Sequence, residues 1–299
     1  MKSWNKNTVL HILKIVLAIG LIYWLVHRGT LDLQAMKVIF TPVYLVSCFG
    51  LMLVMMLLGH LRWFFLLRSR SFAVSFWHTL PLTFIGLFFN FTMPGSVGGD
   101  FVKGYYVTRD HPQRKMEAAV TVMMDRIVGL FAMMVMAVVA IVFSWRKISL
   151  QPDLVKLSWL LLIILGFTGS FFLFFLFSGW DVRVLERMHG FSQFGVSFLL
   201  CMHPSLNLYR NSKAVLGYTF LISILSQLIA VCFFIVVGYA LGEHLSFLAF
   251  LFSVSLGYIA IALQISPGGL GVGQLDFYSF FKTYTGQELQ VGVIGITAN

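Results

Sequence analysis

Apolar stretches long enough to approach a bilayer crossing alternate along the chain with short polar intervals rich in arginine and lysine. A spanning helix needs about 20 mostly apolar residues. Runs of that order cover residues 9–26, 42–58, 76–91, 118–143, 157–177, 216–241 and 245–263. A further run, 289–299, reads as the opening of a helix that stops too soon to span. The longest polar interval, 178–215, mixes Trp180, Phe191, Phe194 and Phe198 with Arg183, Arg187, Arg210 and Lys213. That is the pattern of an interfacial, partly amphipathic segment. No linker or low-complexity tract divides the spans. The expected architecture is a single all-α transmembrane domain over residues 1–299, its last helix incomplete, with no soluble catalytic domain.

Two intervals break the pattern. "TMPGSVGGDFVKGYY" (92–106) and "QISPGGLGVGQLDFYSFF" (264–281) each follow an apolar run. Both then place Pro-Gly, further glycines, an acid and a lysine where a span should end cleanly. The charge distribution bears on the first. With a cytoplasmic N-terminus and a chain that turns back at Pro94, most basic residues, among them Arg62, Arg68, Arg70, Lys103, Arg109, Arg114 and Lys115, fall in cytoplasmic loops. Few, such as Arg146, Lys147 and Lys282, fall outside. A full crossing at Pro94 would invert that balance for 103–115, against the positive-inside rule. The two intervals then enter from opposite faces, the sequence pointer to an inverted repeat with a midplane site. Pro94, Gly95, Pro267, Gly268, Gly269, Gly271 and Gln274 are the expected turn and gate residues. The fold expected is about seven to eight transmembrane helices plus two re-entrant helical hairpins.

Composition narrows the class. The chain is 59% apolar and 11% charged, with a mean hydropathy of +0.89. A soluble domain of this size could not solvate such a surface. The net charge of +10 follows from positive-inside loops and contact with anionic lipid, and no soluble segment interleaves aromatic and basic residues for nucleic acid. Cys48, Cys201 and Cys232 have no zinc or redox spacing. The N-terminus is basic, then apolar, with no cleavage site after it, and reads as a signal anchor in which Lys14 snorkels to the surface.

Charges inside the spans are the candidate chemistry. Asp125 and Arg126 follow Glu117 by eight and nine residues, roughly 12 Å along a helix. Each costs at least ~2.5–3.5 kcal/mol at a helix centre. Neighbours point about 100° apart, so each needs its own partner on another helix or in a cavity. Asp100 and Lys103 would share one face of a helix starting near Gly98, whose freed N–H groups, with Gly99, form an anion cradle. A phosphate there could draw on Lys103 or Arg126, and an amine on Asp100 or Asp125. Gln227 reads as an inter-helix hydrogen-bonding residue. His60, His78, His189, His203 and His244 lack paired metal spacing and read as interfacial hydrogen-bonding groups. "GSVGGDFVK" is no P-loop, and "GGLGVGQ" completes no dinucleotide fingerprint. Nothing in the chain asks for a cofactor.

"LPLTFIGLFFNFTMPGSVGGDFVKGYYVTRD", "AAVTVMMDRIVGL" and "ISPGGLGVGQ", in that order over roughly residues 80–281, resemble the lysylphosphatidylglycerol synthase transmembrane region family. The resemblance implies an all-helical membrane fold with inverted repeats and a non-enzymatic, flippase-like movement of lipids between leaflets of the cytoplasmic membrane. It carries over to Pro94, Gly95, Gly98, Gly99, Asp100, Lys103, Asp125, Arg126, Pro267, Gly268, Gly269 and Gly271. Gly273-Gln274 stand where the family often carries Arg-Glu, so no carboxylate is brought to that place. Membrane lipids are the expected partners, with a second copy of the chain or a lipid-synthesising enzyme beside them. Readings of another class are a membrane-embedded transferase using Asp100 and Asp125 on a lipid phosphate, and a small-solute or ion transporter.

Overall fold

The computed structural model describes residues 37–38, 40–92, 98–150, 152–178, 209, 212–263, 272–286, 289 and 291. The first apolar run (9–26), the Pro-Gly turns at 94–95 and 267–271, and most of 178–215 and 289–299 lie outside them. The described residues form helices α1 (Pro42–Arg68), α2 (Phe76–Thr92), α3 (Gly98–Asp110), α4 (Lys115–Phe143), the short α5 (Trp145–Ile148), α6 (Pro152–Ser178), α7 (Lys213–Ala240), α8 (Phe247–Leu263) and α9 (Val272–Thr285). A 3-10 turn, Pro112–Arg114, joins α3 to α4. Among the described residues three stretches are long and apolar enough to cross a membrane: Pro42–Arg68, Pro112–Phe143 and Lys213–Ala240.

The helices match the apolar runs with one informative exception. The run from residue 42 was expected to end at 58, but α1 continues ten residues further, to Arg68. His60 and Arg62 interrupt the hydropathy without interrupting the helix. Arg62 was therefore expected in a cytoplasmic loop and instead lies in the last two turns of α1. The backbone loses nothing by continuing, because each of its hydrogen bonds is made within the helix, and the polar side chains find partners on neighbouring helices.

α4 is the central helix, touching α1, α3, α6, α7 and α8. α1 packs along α7, and the two run antiparallel. Arg62 meets Ser223, the Leu66 carbonyl accepts from the Tyr209 hydroxyl just before α7, and Cys48 shares a core with Ala230–Ala240. α2 and α3 form an antiparallel pair. Thus His78 lies by Asp110 at one end, and the Gly99 N–H donates to Asn90 Oδ1 (2.8 Å) at the other. α8 and α9 pair in the same sense, with Gly257 against Phe277, and Phe250 and Phe252 against Phe281 and Tyr284.

The two halves share a register. Pro42 and Lys213 lie 171 positions apart (213 − 42), and so do Phe76 and Phe247, and Thr92 and Leu263. Each long helix also closes in the same way. Ser71 (φ 55°) and Gly242 (φ 75°) are again 171 apart (242 − 71), both left-handed. After each, the next N–H bonds back five residues, Phe72 to the Leu67 carbonyl (3.4 Å) and Glu243 to the Gly238 carbonyl (2.9 Å). This is the pairing that satisfies the last carbonyls of a helix.

Lipid tails are as apolar as leucine, so helices in a bilayer associate through close packing and polar contacts rather than through water exclusion. Glycines set the closest approaches. A Cβ on Gly99 would run into the Gly86 carbonyl, and one on Gly257 would enter the Phe277 ring. Gly104, also on α3, has open space at that position. Gly99→Ala should therefore cost about 1–3 kcal/mol of overpacking and lower the melting temperature of the detergent-solubilised protein. Gly104→Ala, made as a control, should leave it unchanged. Equal melting temperatures for the two variants would refute the close approach of α2 and α3.

Candidate functional site

Asp125 sits ten residues into α4 (125 − 115), and Ser223 ten residues into α7 (223 − 213), roughly 15 Å along each axis. This is about half the hydrocarbon thickness of a bilayer. At that level Arg62 of α1 grips Asp125 with its fork: Nε donates to Oδ1 at 2.6 Å and Nη2 to Oδ2 at 3.1 Å. Its remaining nitrogen, Nη1, donates to Ser223 Oγ at 3.2 Å. The carboxyl is 8% exposed and the guanidinium side chain 18%. Gly129, one turn beyond Asp125, gives the guanidinium its room, since a Cβ there would lie 2.8 Å from Nη1. One arginine thus ties α1, α4 and α7 together.

Arg126 points elsewhere, as adjacent helical residues must. Its Nε donates to Asp100 Oδ2 on α3. The expectation that Asp125 and Arg126 reach separate partners on other helices is met. Gly98 and Gly99 open α3 and are buried, and Asp100 and Lys103 follow on the same short helix. Lys103 behaves differently from the other cations. Its stem lies along Gly86 of α2, and its ammonium sits 5.3 Å from the centre of the Trp63 ring. Among the described residues it forms no ion pair.

Gly98, Gly99, Asp100, Lys103, Asp125 and Arg126 are therefore brought to one region, where α3 meets α4 and α1. Pro94, Gly95, Pro267, Gly268, Gly269 and Gly271 lie outside the described residues, and Gln274 is placed by its backbone alone, in the first turn of α9. Sequence reasoning missed Arg62, Trp63 and His60, all on α1. The signal was present: His60 and Arg62 stand two apart in "MLLGHLRWFFLLR", an apolar segment too long to be a loop.

His60 corrects a second expectation. It is wholly buried rather than interfacial, with Nδ1 2.8 Å from Thr83 Oγ1 on α2 and its ring edge-on to Phe76. His78 is exposed, its Nε2 3.1 Å from Asp110 Oδ2. Gln227, one turn past Ser223, is buried, yet its Nε2 has no partner among the described residues. The same holds for His60 Nε2 and Trp63 Nε1. Where the described chain leaves α1, Arg70 lies over the Tyr209 ring and donates to Ser212 Oγ at 2.6 Å. Burial pushes the Tyr209 phenol well above its ordinary range. Among the described residues no group of three His, Cys, Asp or Glu side chains could hold a metal ion.

The second half places a phenyl ring, rather than a cation, against the matching glycine and aromatic residue. Gly86 and Gly257 are 171 apart (257 − 86). Gly86 faces Lys103, and Gly257 faces Phe277. Trp63 and Phe234 are likewise 171 apart (234 − 63). The Lys103 ammonium lies over Trp63, and the Phe277 ring stacks on Phe234 with centres 4.9 Å apart. The same packing joint carries a cation in one half and a phenyl ring in the other.

Helices of spanning length, joined by ion pairs between them, define a multi-span helical membrane protein with charges inside the bundle. The chain belongs to the family described as the lysylphosphatidylglycerol synthase TM region, which it matches over residues 11–298. It is similar to a "UPF0104 membrane protein" of Methanothermobacter thermautotrophicus, with 25% identity over 260 residues, covering 80% of this chain and 76% of the relative. No solved structure gives a significant match.

Removing one member of a buried ion pair leaves an unpaired charge and costs about 3–5 kcal/mol, whereas replacing both is far milder. Arg62→Met should therefore destabilise the solubilised protein strongly in thermal unfolding, and Arg62→Met with Asp125→Leu should recover most of the loss. A double variant that is less stable than the single one would show that Arg62 does not serve to neutralise Asp125.

Proposed function

We propose that the chain is a flippase-like transporter that moves a polar-headgroup lipid between the leaflets of the cytoplasmic membrane. The observation that carries this reading is the charged cluster of Arg62, Asp100, Lys103, Asp125 and Arg126, set in from the ends of α1 and α4 beside the opening turn of α3. Charges at that depth are costly unless they serve an ion or substrate path. Membership of the family supports the same reading.

α2 and α8 have 17 residues each, about 25 Å of helix, short of the roughly 30 Å hydrocarbon core. The antiparallel pairs α2–α3 and α8–α9 suit re-entrant hairpins whose tips meet at mid-depth. The shared 171-residue register, together with antiparallel α1 and α7, supports two copies of one unit inserted in opposite senses. In this arrangement the headgroup enters between the hairpins while the acyl chains stay in lipid. α3 supplies backbone N–H groups, Asp125 and Arg126 meet the headgroup, and the tips at Pro94 and Pro267 act as the cytoplasmic and outer gates. Irregular backbone at such depth is tolerated because it lines a polar cavity.

Proteoliposomes carrying a fluorescent phospholipid in both leaflets test the reading. Wild type should expose the inner-leaflet label to an external quencher faster than protein-free vesicles do. Asp125→Asn and Arg126→Gln should each lower that rate about tenfold, the effect of about 1.4 kcal/mol on a barrier. Wild-type rates in both variants would remove the charged cluster from the transport path.

A further inference from the structure

Among the described residues the charged cluster is unbalanced, and its surplus of charge lies in the first half of the molecule. Arg62 and Asp125 neutralise each other, as do Arg126 and Asp100. Lys103 is left over: three cations face two carboxylates, a surplus of one positive charge among the described side chains. Hydrogen-bonding capacity is unbalanced in the same direction. Trp63, whose ring centre lies 5.3 Å from the Lys103 ammonium, is wholly buried, and its indole N–H has no acceptor among the described residues. Indole N–H can only donate. Gln227 Nε2, also a donor, is buried and unmatched one turn past Ser223. Buried donors without acceptors cost about 1–3 kcal/mol each unless a ligand or water completes them. The positive end of the α3 backbone dipole adds to the same side.

The matching joint in the second half holds Phe277 on Phe234, two rings that bring neither charge nor donor, although the Ser253 and Ser255 hydroxyls of α8 are buried with no partner among the described residues. Taking the transport reading above as its premise, we infer that the headgroup subsite lies wholly in the first half, between α1 and α3, and is charge-matched to a monoanionic phosphodiester. Lys103 is its specificity-determining residue. A phosphodiester oxygen accepts from the Lys103 ammonium and the Trp63 N–H and cancels the surplus charge. A zwitterionic headgroup leaves the surplus in place, and a headgroup with net positive charge doubles it in a medium that screens poorly.

The full chain, solubilised in mild detergent, is equilibrated with equal amounts of phosphatidylglycerol, phosphatidylethanolamine and lysyl-phosphatidylglycerol of the same chain length. Bound lipid is read by native mass spectrometry. Wild type should retain phosphatidylglycerol about tenfold over the other two, as one charge-assisted hydrogen bond provides. Lys103→Gln should abolish that preference, and Lys103→Arg should keep it. Equal or greater retention of lysyl-phosphatidylglycerol by wild type overturns the charge match without needing any variant. An unchanged preference in Lys103→Gln overturns the role of Lys103. Either result leaves a headgroup site standing. Retention of no lipid by wild type overturns the transport reading, and this inference with it. Glycerophosphoglycerol, the same phosphodiester without acyl chains, should not displace the lipid at equal concentration. Displacement would make the ligand a soluble phosphodiester and overturn the lipid assignment.

Discussion

A charge inside a bilayer must be met by protein, because nothing else there can meet it. The Arg62–Asp125 pair is where this chain satisfies that demand, and much of the bundle follows from it. The guanidinium spends both edges of its fork on one carboxylate and its last nitrogen on Ser223. Three helices are thereby tied at one level, and two of them, α1 and α7, pass antiparallel. Lysine could supply the charge but not the planar, two-point grip. Gly129 is small for the same reason: a side chain there would occupy the guanidinium's place.

From this level the second pair follows by helical geometry. If Asp125 faces α1 and α7, Arg126 must face about 100° away, and there it meets Asp100 on α3. The short helix is thus placed by a contact that depends on where its neighbour's neighbour points. α3 is polar for its length and is the element least able to hold its position by apolar packing alone. Its seat is set by Asp100, by the Gly99 N–H on Asn90, and by the contact of Gly99 with Gly86.

Much of this arrangement was legible in the chain and some was not. The helix boundaries at Phe76, Phe143 and Leu263 follow the apolar runs because hydropathy is what the bilayer selects. The need of Asp125 and Arg126 for separate partners followed from one turn of helix geometry. The end of α1 was misjudged because a window of hydropathy treats His60 and Arg62 as the start of a loop. A helix whose polar residues are matched across three neighbours has no reason to stop there, and that matching is invisible until the neighbours are placed. The same limit applied to His60, whose partner Thr83 lies on another helix, and to the choice between Asp100 and Arg62 as partners for the acid and base of α4.

The common register of the two halves sharpens what the charges mean. Gly86 with Lys103 on Trp63, and Gly257 with Phe277 on Phe234, solve one packing problem with different chemistry. The aromatic joint is complete in itself: stacked rings gain by contact and leave no valence open. The lysine joint is not complete, for an ammonium over a ring face still has N–H donors to give. Around it lie an indole N–H without an acceptor and a carboxylate already engaged by Arg126. Exchange of such polar contacts for those of an incoming anion changes little in the total number of bonds. Exchange of the phenyl stack would lose packing and gain nothing. A chain whose halves share one scaffold thus fills the same joint with a cation in one half and with a second aromatic ring in the other.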